Sequence, residues 1–411
     1  MTRVVFKNAV APLLVLAVSC LAAASVLAQQ RPVPGAAFGG SRGSEDDSAH
    51  QPASPNATPL AEATVGPTRS TAQWLTRLRQ AAHAPAYTGT YVVWSVPGML
   101  VSSRIWHASS KGDIGVERVD ALSGEPRSTY RITGPHGSKV KTFLLAQRVL
   151  RIDHSDTPSS SGGFPNLPDA GQDLSPANYY DVRQGGQERV AGFAADVVQF
   201  VPRDNLRYGY RVWSEQRTGL AIKLQTLSQH GRVLEQAAFS GLTFDAPVNA
   251  ETLLREMHHH HGWQVKRVVR IPTTATAEGW QIGGPTGQPA PGFALQRCYR
   301  QPAPVRAADV QAGDKPASDP AAGDSAASRD QAAPLSGFQC VFSDGLAAVS
   351  VFIEPYDAAR HPGDRAGPLN AVWGATHLLA RRVGDTGWVT VVGEVPLRTL
   401  NRFIAGVSRL P

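Results

Sequence analysis

The chain has 411 residues, enough for two domains, and its 40 basic and 33 acidic side chains give a formal net charge of +7. No run of Lys and Arg stands out, which argues against a nucleic-acid-binding protein. Beyond its first thirty residues the chain has no apolar stretch of the roughly 20 residues that a membrane-spanning helix needs.

The N-terminal segment has the pattern of an export signal. Basic residues precede an apolar stretch, Ala9–Ser19, and the small residues of Val26-Leu27-Ala28 suit cleavage. The apolar stretch is too short to span a bilayer, so we predict a signal peptide over residues 1–28 and a location in the Gram-negative periplasm. An uncleaved anchor or a lipid on Cys20 are the alternatives. Export is a second argument against nucleic acid as a partner.

Residues 29–69 are rich in Ala, Pro, Gly and Ser, a composition that predicts a disordered spacer. Order is expected from Ser70, where Ser70-Thr71-Ala72-Gln73 has the form of a capping box. Apolar side chains at positions 74, 75, 78, 81 and 82 then share one helical face, and Pro85 is expected to end this helix.

The region up to residue 247 has many short β-like segments separated by turn residues. Leu220, Ile222 and Leu224 alternate with polar or small residues, which is typical of a half-buried strand. This pattern favours a curved antiparallel sheet or partial barrel over residues 70–247. The region also holds a set of aromatic residues that form either the core of the sheet or an apolar cleft for an acyl chain or peptide: Tyr87, Tyr91, Trp94, Trp106, Tyr208, Tyr210 and Trp213.

Residues 248–262 are interpreted as an interdomain linker that contains a short helix, Glu251–His258. Four consecutive histidines, His258–His261, could bind a transition metal. Adjacent residues in a linker do not provide the spaced ligands of a structural site, so no metal site or cofactor is predicted.

A second domain is predicted over residues 263–411, with an Ala/Asp/Pro-rich disordered insertion at 300–336. Ser343-Asp344-Gly345 separates two strand-like runs and is typical of a hairpin turn. Leu397, Leu400, Ile404 and Val407 indicate an amphipathic C-terminal helix. Cys298 and Cys340 flank the insertion, and in an oxidising compartment a disulfide is the favoured interpretation; two buried thiols remain the alternative.

The chain lacks the nucleophile elbow, Walker loop, dinucleotide fingerprint, H-E-x-x-H and EF-hand patterns, so no catalytic residues are predicted and the chain is interpreted as a binding protein. Arg203, Arg207 and Arg211 lie near acidic residues. They form either a partner-facing electrostatic patch or an ordinary solvated strand edge.

Several strings resemble one family when they are taken together and in order. The strings are Tyr87–Tyr91, Ser103–His107, Glu117–Pro126, Glu188–Gly192, Arg203–Trp213, Thr218–Leu220, Pro291–Phe293, Phe342–Glu354 and Val392–Pro396. Their succession resembles the RseB/MucB family of periplasmic negative regulators of the sigma-E envelope-stress response, over most of residues 70–411.

The resemblance implies an α+β fold: a large N-terminal domain with a LolA/LolB-like half-open antiparallel β-barrel and covering helices, and a smaller α+β C-terminal domain. It also implies a partner, the periplasmic part of an RseA/MucA-type anti-sigma factor, shielded from a DegS-type protease until lipoprotein or lipopolysaccharide signals relieve the protection. Candidate partner-binding residues are Arg203, Arg207, Arg211, Ser343 and Asp344.

With this resemblance, a lipid-like cleft is expected near Tyr91, Trp94, Met99 and Trp106, which would bind lipoprotein or lipid acyl chains. The alternative function is a periplasmic lipoprotein or lipid carrier without an anti-sigma partner, although a carrier would need the first domain alone. A homo-oligomer is compatible with the sequence.

Overall fold

The computed structural model of the protein describes residues 68–411 apart from 82–84, 97, 111–113, 135–136, 156–175, 260, 269, 285–286, 303–334, 359–360 and 362–368. The predicted signal peptide, nearly all of the predicted spacer and most of the predicted insertion therefore lie outside the described residues. Within the described ranges, none of the helices has the length and apolarity needed to span a bilayer.

The first helix, α1 (Thr71–Gln80), begins at the predicted capping box. The Ser70 hydroxyl accepts a hydrogen bond from the Gln73 amide at 3.3 Å, and the Gln73 side chain accepts one from the Ser70 amide at 2.7 Å. Trp74, Leu75 and Leu78 are buried on one face and pack on the first sheet. The apolar stripe read from the sequence is therefore the surface that holds α1 in place.

Twelve strands form the first sheet, in the order β12-β6-β5-β4-β3-β2-β1-β11-β10-β9-β8-β7. All neighbours are antiparallel except β12, which lies parallel to β6. The strands are β1 (Tyr87–Ser95), β2 (Met99–Ser110), β3 (Ile114–Ala121), β4 (Arg127–Gly134), β5 (Gly137–Leu144), β6 (Val149–Ser155), β7 (Tyr180–Val190), β8 (Phe193–Pro202), β9 (Gly209–Glu215), β10 (Ala221–Leu227), β11 (Val233–Phe244) and β12 (Gln264–Val268).

The first sheet does not close on itself, because its edge strands β7 and β12 do not pair with each other. A bulge on β11 leaves Ser240 without a partner between the pairs Thr90–Gly241 and Tyr91–Phe239, and such a bulge increases local twist. Gly89 lies so close to β11 that a Cβ there would be 2.7 Å from the Gly241 carbonyl oxygen. The expected half-open antiparallel sheet is confirmed.

The second helix, α2 (Ala250–His258), packs on the first sheet. The Asn249 side chain caps it by accepting a hydrogen bond from the Glu251 amide at 2.7 Å. Leu253 and Met257, four residues apart, are both buried, and the Lys141 ammonium donates to the Met257 carbonyl at 3.0 Å. Residues 248–262, interpreted as a linker, thus contain a helix that belongs structurally to the first sheet.

The second sheet has seven strands in the order β13-β15-β16-β17-β20-β19-β18, all antiparallel, beside a separate two-stranded pair, β14 and β21. The strands are β13 (Ile271–Thr273), β14 (Trp280–Ile282), β15 (Ala294–Pro302), β16 (Leu335–Ser343), β17 (Ala348–Pro355), β18 (Leu369–Trp373), β19 (Thr376–Val383), β20 (Gly387–Gly393) and β21 (Val407–Arg409).

The third helix, α3 (Leu397–Ala405), covers one face of the second sheet. Leu400, Phe403 and Ile404 are buried against Val349 and Val391 of the central strands. The amphipathic spacing predicted this helix, although Val407 lies in β21 and not in the helix. The structure also joins Cys298 and Cys340 in a disulfide between the directly opposed strands β15 and β16, with their Cα atoms 4.1 Å apart.

The domain boundary predicted from the sequence does not coincide with the boundary between the two sheets. The second domain was predicted to start at residue 263, yet β12 pairs with β6 of the first sheet. Trp263, just before it, packs edge-on against Phe143 at 5.1 Å. The second sheet begins at Ile271, after this added strand.

Candidate binding site at the junction of the two sheets

A short connection between β8 and β9 carries Arg207. The Asp204 carboxylate accepts a hydrogen bond from the Leu206 amide at 2.9 Å, which folds the connection back on itself. Asp204 also pairs with the Arg207 guanidinium. The Arg207 side chain is fully buried, so its charge must be balanced by nearby acceptors.

The partner of Arg207 comes from the β16–β17 turn of the second sheet. In this turn the Asp344 carboxylate accepts hydrogen bonds from the amides of Leu346 at 2.9 Å and Ala347 at 2.7 Å. The Ser343 hydroxyl donates to the Ala347 carbonyl at 2.8 Å, and Gly345 has a φ of 98°, which favours glycine. These bonds leave the second carboxylate oxygen of Asp344 directed at the first sheet.

Arg207 and Asp344 meet between the two sheets. The Arg207 Nε atom donates to Asp344 Oδ2 at 2.6 Å, and the Tyr180 hydroxyl donates to the same oxygen at 3.1 Å. Another guanidinium nitrogen donates to the Pro291 carbonyl at 2.5 Å. Burial raises the pKa of Asp344, while Arg207 and the two backbone amides act in the opposite direction.

Two aromatic rings lie against the Arg207 guanidinium. Its central carbon lies 4.2 Å from the Tyr179 ring centroid and 4.9 Å from that of Phe293. Gly292 allows this approach: its φ is 81°, and a Cβ there would lie 2.4 Å from Tyr179 Cζ. Three of the strings that carry the family resemblance, around Arg207, Pro291–Phe293 and Asp344, therefore converge at one place.

Further polar contacts extend the junction. The Thr399 hydroxyl of α3 donates to the Leu206 carbonyl at 2.7 Å, and the Gly374 amide donates to the Val96 carbonyl at 2.8 Å. The Tyr208 hydroxyl and His377 Nδ1 lie 3.4 Å apart, and burial lowers the pKa of His377. The β1–β2 and β8–β9 connections of the first sheet thus contact four separate parts of the second domain: the β16–β17 turn, the segment around Pro291, the β18–β19 hairpin and α3.

An acidic pair, Glu235 on β11 and Glu394 after β20, also lies at the junction. Burial raises the pKa of Glu235 to about 7, and burial together with repulsion from Glu235 raises that of Glu394 to about 8. The backbone of Gly374 packs closely against this pair, since a Cβ atom at Gly374 would be 2.8 Å from a carboxylate oxygen of Glu235. Near pH 7 the Glu394 carboxyl group therefore favours its neutral form, and that of Glu235 is close to its midpoint.

The structure separates the five candidate partner-binding residues into two groups. Arg207, Asp344 and Ser343 are buried at the junction and are not accessible to solvent. Arg203 is exposed and forms an ion pair with Asp181 at 2.7 Å, while Arg211 is half-buried beside Gln225 on the sheet. In this arrangement Arg203 is the member of the set most open to a partner.

The four residues predicted to line a lipid cleft are not brought together. Tyr91 is buried in the sheet core, and Trp94, three residues along the same strand, points to the opposite face and is 38% exposed. Met99, at the start of β2, is opposite Ser95 and therefore lies on the other face of the sheet from Trp94, which is opposite Leu100. Trp106 is opposite Thr88, about 20 Å along the strand from Trp94, and stacks under Arg118 at 4.8 Å. Contact with a lipid by these residues stays a prediction.

The histidine run gives no sign of a built site. The His258 ring nitrogen Nδ1 bonds with the Leu254 carbonyl oxygen at 2.7 Å, and His260 lies outside the described residues. In the part of the chain that the structure describes, no three His, Cys, Asp or Glu side chains are arranged to hold a metal ion.

Two family models match the chain: the MucB/RseB N-terminal domain over residues 70–257 and the MucB/RseB C-terminal domain over residues 274–408. The chain belongs to the MucB/RseB family. The two matched ranges bracket β12, the strand by which the chain passes from the first sheet to the second.

Individual relatives agree with the family assignment. The chain is 29% identical over 345 residues to the sigma factor AlgU regulatory protein MucB of Pseudomonas aeruginosa, which is 81% of this chain and 89% of that protein. It is 24% identical over 239 residues to the sigma-E factor regulatory protein RseB of Escherichia coli K12, 57% of this chain and 60% of that protein. A crystal structure of MucB in complex with MucA(peri) matches with a TM-score of 0.56 at 25% identity, over 83% of this chain and 99% of that one.

Sequence reasoning missed Tyr179, Tyr180 and Thr399 as parts of the junction. They have no motif of their own, since each contributes only a ring or a hydroxyl group, which several residue types could supply. The Pro291–Phe293 string was quoted for its family resemblance alone, and the structure shows that its carbonyl and its aromatic ring both contact Arg207.

Proposed function

We propose that the protein works in the periplasm, where it binds the periplasmic segment of a MucA/RseA-type anti-sigma factor and protects it from regulated proteolysis. The observation that carries this proposal is the match over 99% of a MucB chain crystallised with MucA(peri). Both domains of this chain take part in the match. We also infer that the protein acts by binding and not by catalysis, because its named relatives are sigma-factor regulatory proteins.

The junction supports a specific role for its buried residues. A partner that contacts both domains needs them in one fixed arrangement, and preorganisation of this kind lowers the entropic cost of binding. Arg207 and Asp344 form a fully desolvated ion pair between the two sheets. We therefore assign Arg207, Ser343 and Asp344 to holding the domains together, and Arg203 to direct partner contact.

Release by a lipid-bearing signal, a lipoprotein or a lipopolysaccharide, is part of the same proposal. Trp94 and Met99 are apolar, partly exposed and adjacent to the Val96–Gly374 contact between the sheets. A ligand that binds at these side chains would reach the junction without having to enter the core.

The test is a protection assay with the protein in its exported form. A labelled peptide of the periplasmic segment of the source organism's own anti-sigma factor is incubated with its site-1 protease, with and without saturating protein. We expect binding and a large drop in the cleavage rate. Cleavage at the full rate with the protein saturating would exclude the proposed function.

Two variants separate positioning from direct contact. Arg207→Ala is expected to lower peptide affinity together with a measurable change in domain arrangement by small-angle X-ray scattering. Arg203→Ala is expected to lower affinity with the scattering profile unchanged. A peptide of scrambled sequence controls for nonspecific binding to the basic chain.

A further inference from the structure

Exposed leucines lie at or directly beside three hairpin turns at one end of the first sheet. The β1–β2, β3–β4 and β5–β6 turns lie at the same end of the sheet because consecutive strands are antiparallel. Leu122 and Leu145 stand on the β3–β4 and β5–β6 turns, and Leu100 is the second residue of β2, directly after the β1–β2 turn. The exposed fractions of Leu100, Leu122 and Leu145 are 62%, 55% and 46%. We refer to these three turns, together with the start of β12, as the apolar rim.

Hydrogen bonds tie neighbouring turns of the rim to one another. The Ser102 amide donates to the Ser123 hydroxyl at 2.9 Å, and the Leu145 amide donates to the Pro126 carbonyl at 3.3 Å. The Gln264 amide at the start of β12 donates to the Arg148 carbonyl at 3.0 Å. Since neighbouring strands lie about 4.8 Å apart, the leucines, which are spread from β2 to the end of β5, form a fixed row about 15 Å long.

The exposed apolar surface of the first sheet is concentrated on this rim. Trp94 is directly opposite Leu100, and the rim also includes Val96, Met99 and Val265. In the ranges that the structure describes, every large apolar side chain of this sheet that is more than a third exposed lies here. Exposed apolar side chains that are concentrated at one end of a sheet mark an interaction surface, whereas single apolar residues scattered over the surface are the ordinary case.

The charges beside the rim have one sign. The four segments 94–104, 121–127, 144–151 and 263–267 contain six basic residues and one acidic residue, Glu125. Arg104, Arg148, Lys266 and Arg267 are exposed, while Glu125 is hydrogen-bonded to Gln147 on the next turn. The positive charge is therefore available to an external anionic surface, and the single carboxylate is already engaged.

We propose that the apolar rim docks the protein on an anionic lipid bilayer. The leucines and Trp94 enter the boundary between head groups and acyl chains, and the exposed basic residues face the head groups. A row of protruding turn tips suits a bilayer better than a protein groove, because side chains on convex tips can enter a fluid layer without a complementary partner surface. This docking shares Trp94 and Met99 with the proposed contact to a lipid-bearing signal, but it goes beyond the proposed function and does not depend on binding of an anti-sigma factor.

The test is sedimentation of the exported protein with vesicles of phosphatidylcholine containing about one third phosphatidylglycerol. We expect binding that falls about tenfold or more in Leu100→Ser/Leu122→Ser/Leu145→Ser and also on pure phosphatidylcholine vesicles. The matched control is Ile271→Ser/Leu295→Ser, which removes two exposed apolar side chains of the second sheet and is expected to bind as the unchanged protein does.

A second pair of variants tests the charge. Lys266→Glu/Arg267→Glu is expected to weaken vesicle binding at least fivefold at low salt, whereas Arg398→Glu on α3 leaves it unchanged. Near-UV circular dichroism establishes that each variant is folded.

Absence of binding to anionic vesicles, or equal loss in rim and control variants, would overturn the proposal. So would loss of anti-sigma peptide binding in the rim variant with vesicle binding intact, since the rim would then be a protein interface. The protection assay without vesicles reports separately on the proposed function.

Discussion

Arg207 and Asp344 form an ion pair with a separation of 2.6 Å in which both side chains are fully buried, one from each sheet of the molecule. A pair of this kind costs desolvation energy on both sides, and it persists because every remaining polar atom has a partner. Here Asp204, Tyr180, Pro291 and two backbone amides supply those partners. The arrangement makes the relative position of the two domains sensitive to single substitutions.

Arg207→Ala is expected to destabilise the protein by about 3–5 kcal/mol, because it leaves the Asp344 carboxylate buried without its cation. Arg203→Ala removes an ion pair with Asp181 that is exposed to solvent, and it is expected to leave stability nearly unchanged. Urea unfolding of the full exported chain measures both. In a double-mutant cycle, Arg207→Ala and Asp344→Ala are expected to be strongly non-additive. Additive losses would show that the two side chains do not act as a pair.

Gly292→Ala is expected to disturb the junction through crowding. A methyl group there would lie 2.4 Å from Tyr179 and 2.5 Å from the Arg207 guanidinium. Gly192 has a similar φ, 89° against 81°, but has open space around it, so Gly192→Ala measures the backbone strain alone. We expect Gly292→Ala to cost about 2 kcal/mol more than Gly192→Ala in urea unfolding. Equal costs would mean that Tyr179 and Arg207 can move aside freely.

Stability is expected to fall as the pH rises from about 5 to 8.5. Glu235 and Glu394 have pKa values raised from 4.5 to about 7 and about 8, so the folded protein binds more protons than the unfolded chain in this window. A state that binds more protons loses stability as pH rises. Glu394→Gln is therefore expected to raise Tm by about 2–4 °C at pH 8.5 and to have little effect at pH 5.

The control for this pH series is Glu251→Gln, which changes an exposed carboxylate on α2. Its effect on Tm is expected to be the same at both pH values. Buried Glu117, with a pKa raised to about 7, contributes a similar slope to all of these proteins and cancels in the comparison. A Glu394→Gln shift of equal size at pH 5 and pH 8.5 would contradict the assignment.

Reduction of the Cys298–Cys340 bond is expected to destabilise the second domain by about 4 kcal/mol. The bond closes a loop with a sequence separation of 42, and the chain-entropy model gives this magnitude for such a loop. Urea unfolding with and without dithiothreitol measures the change, and Cys298→Ala/Cys340→Ala should reproduce it without reductant. A reduced protein as stable as the oxidised one would show that the β15–β16 pairing alone holds the loop closed.

Elements with local signals were predictable. The α1 start follows from Ser70 and Gln73, three residues apart, and the β16–β17 turn follows from the Asp-Gly chemistry of Asp344 and Gly345. The boundary at residue 262 was less predictable, because β12 joins the first sheet by pairing with β6, more than a hundred residues earlier. The sequence of a five-residue strand does not indicate with which sheet the strand pairs.

Composition, residue order and contacts between near neighbours are enough to predict the export pattern, the two-domain organisation, the family, the positions of the helices and the cysteine pair. Only the folded chain shows that Arg207 meets Asp344, 137 residues away, and that the Pro291 carbonyl contacts the same guanidinium. Which distant residues meet depends on how two sheets pack. That packing is the sum of many weak contacts spread over both sheets, and no single segment of the chain records it.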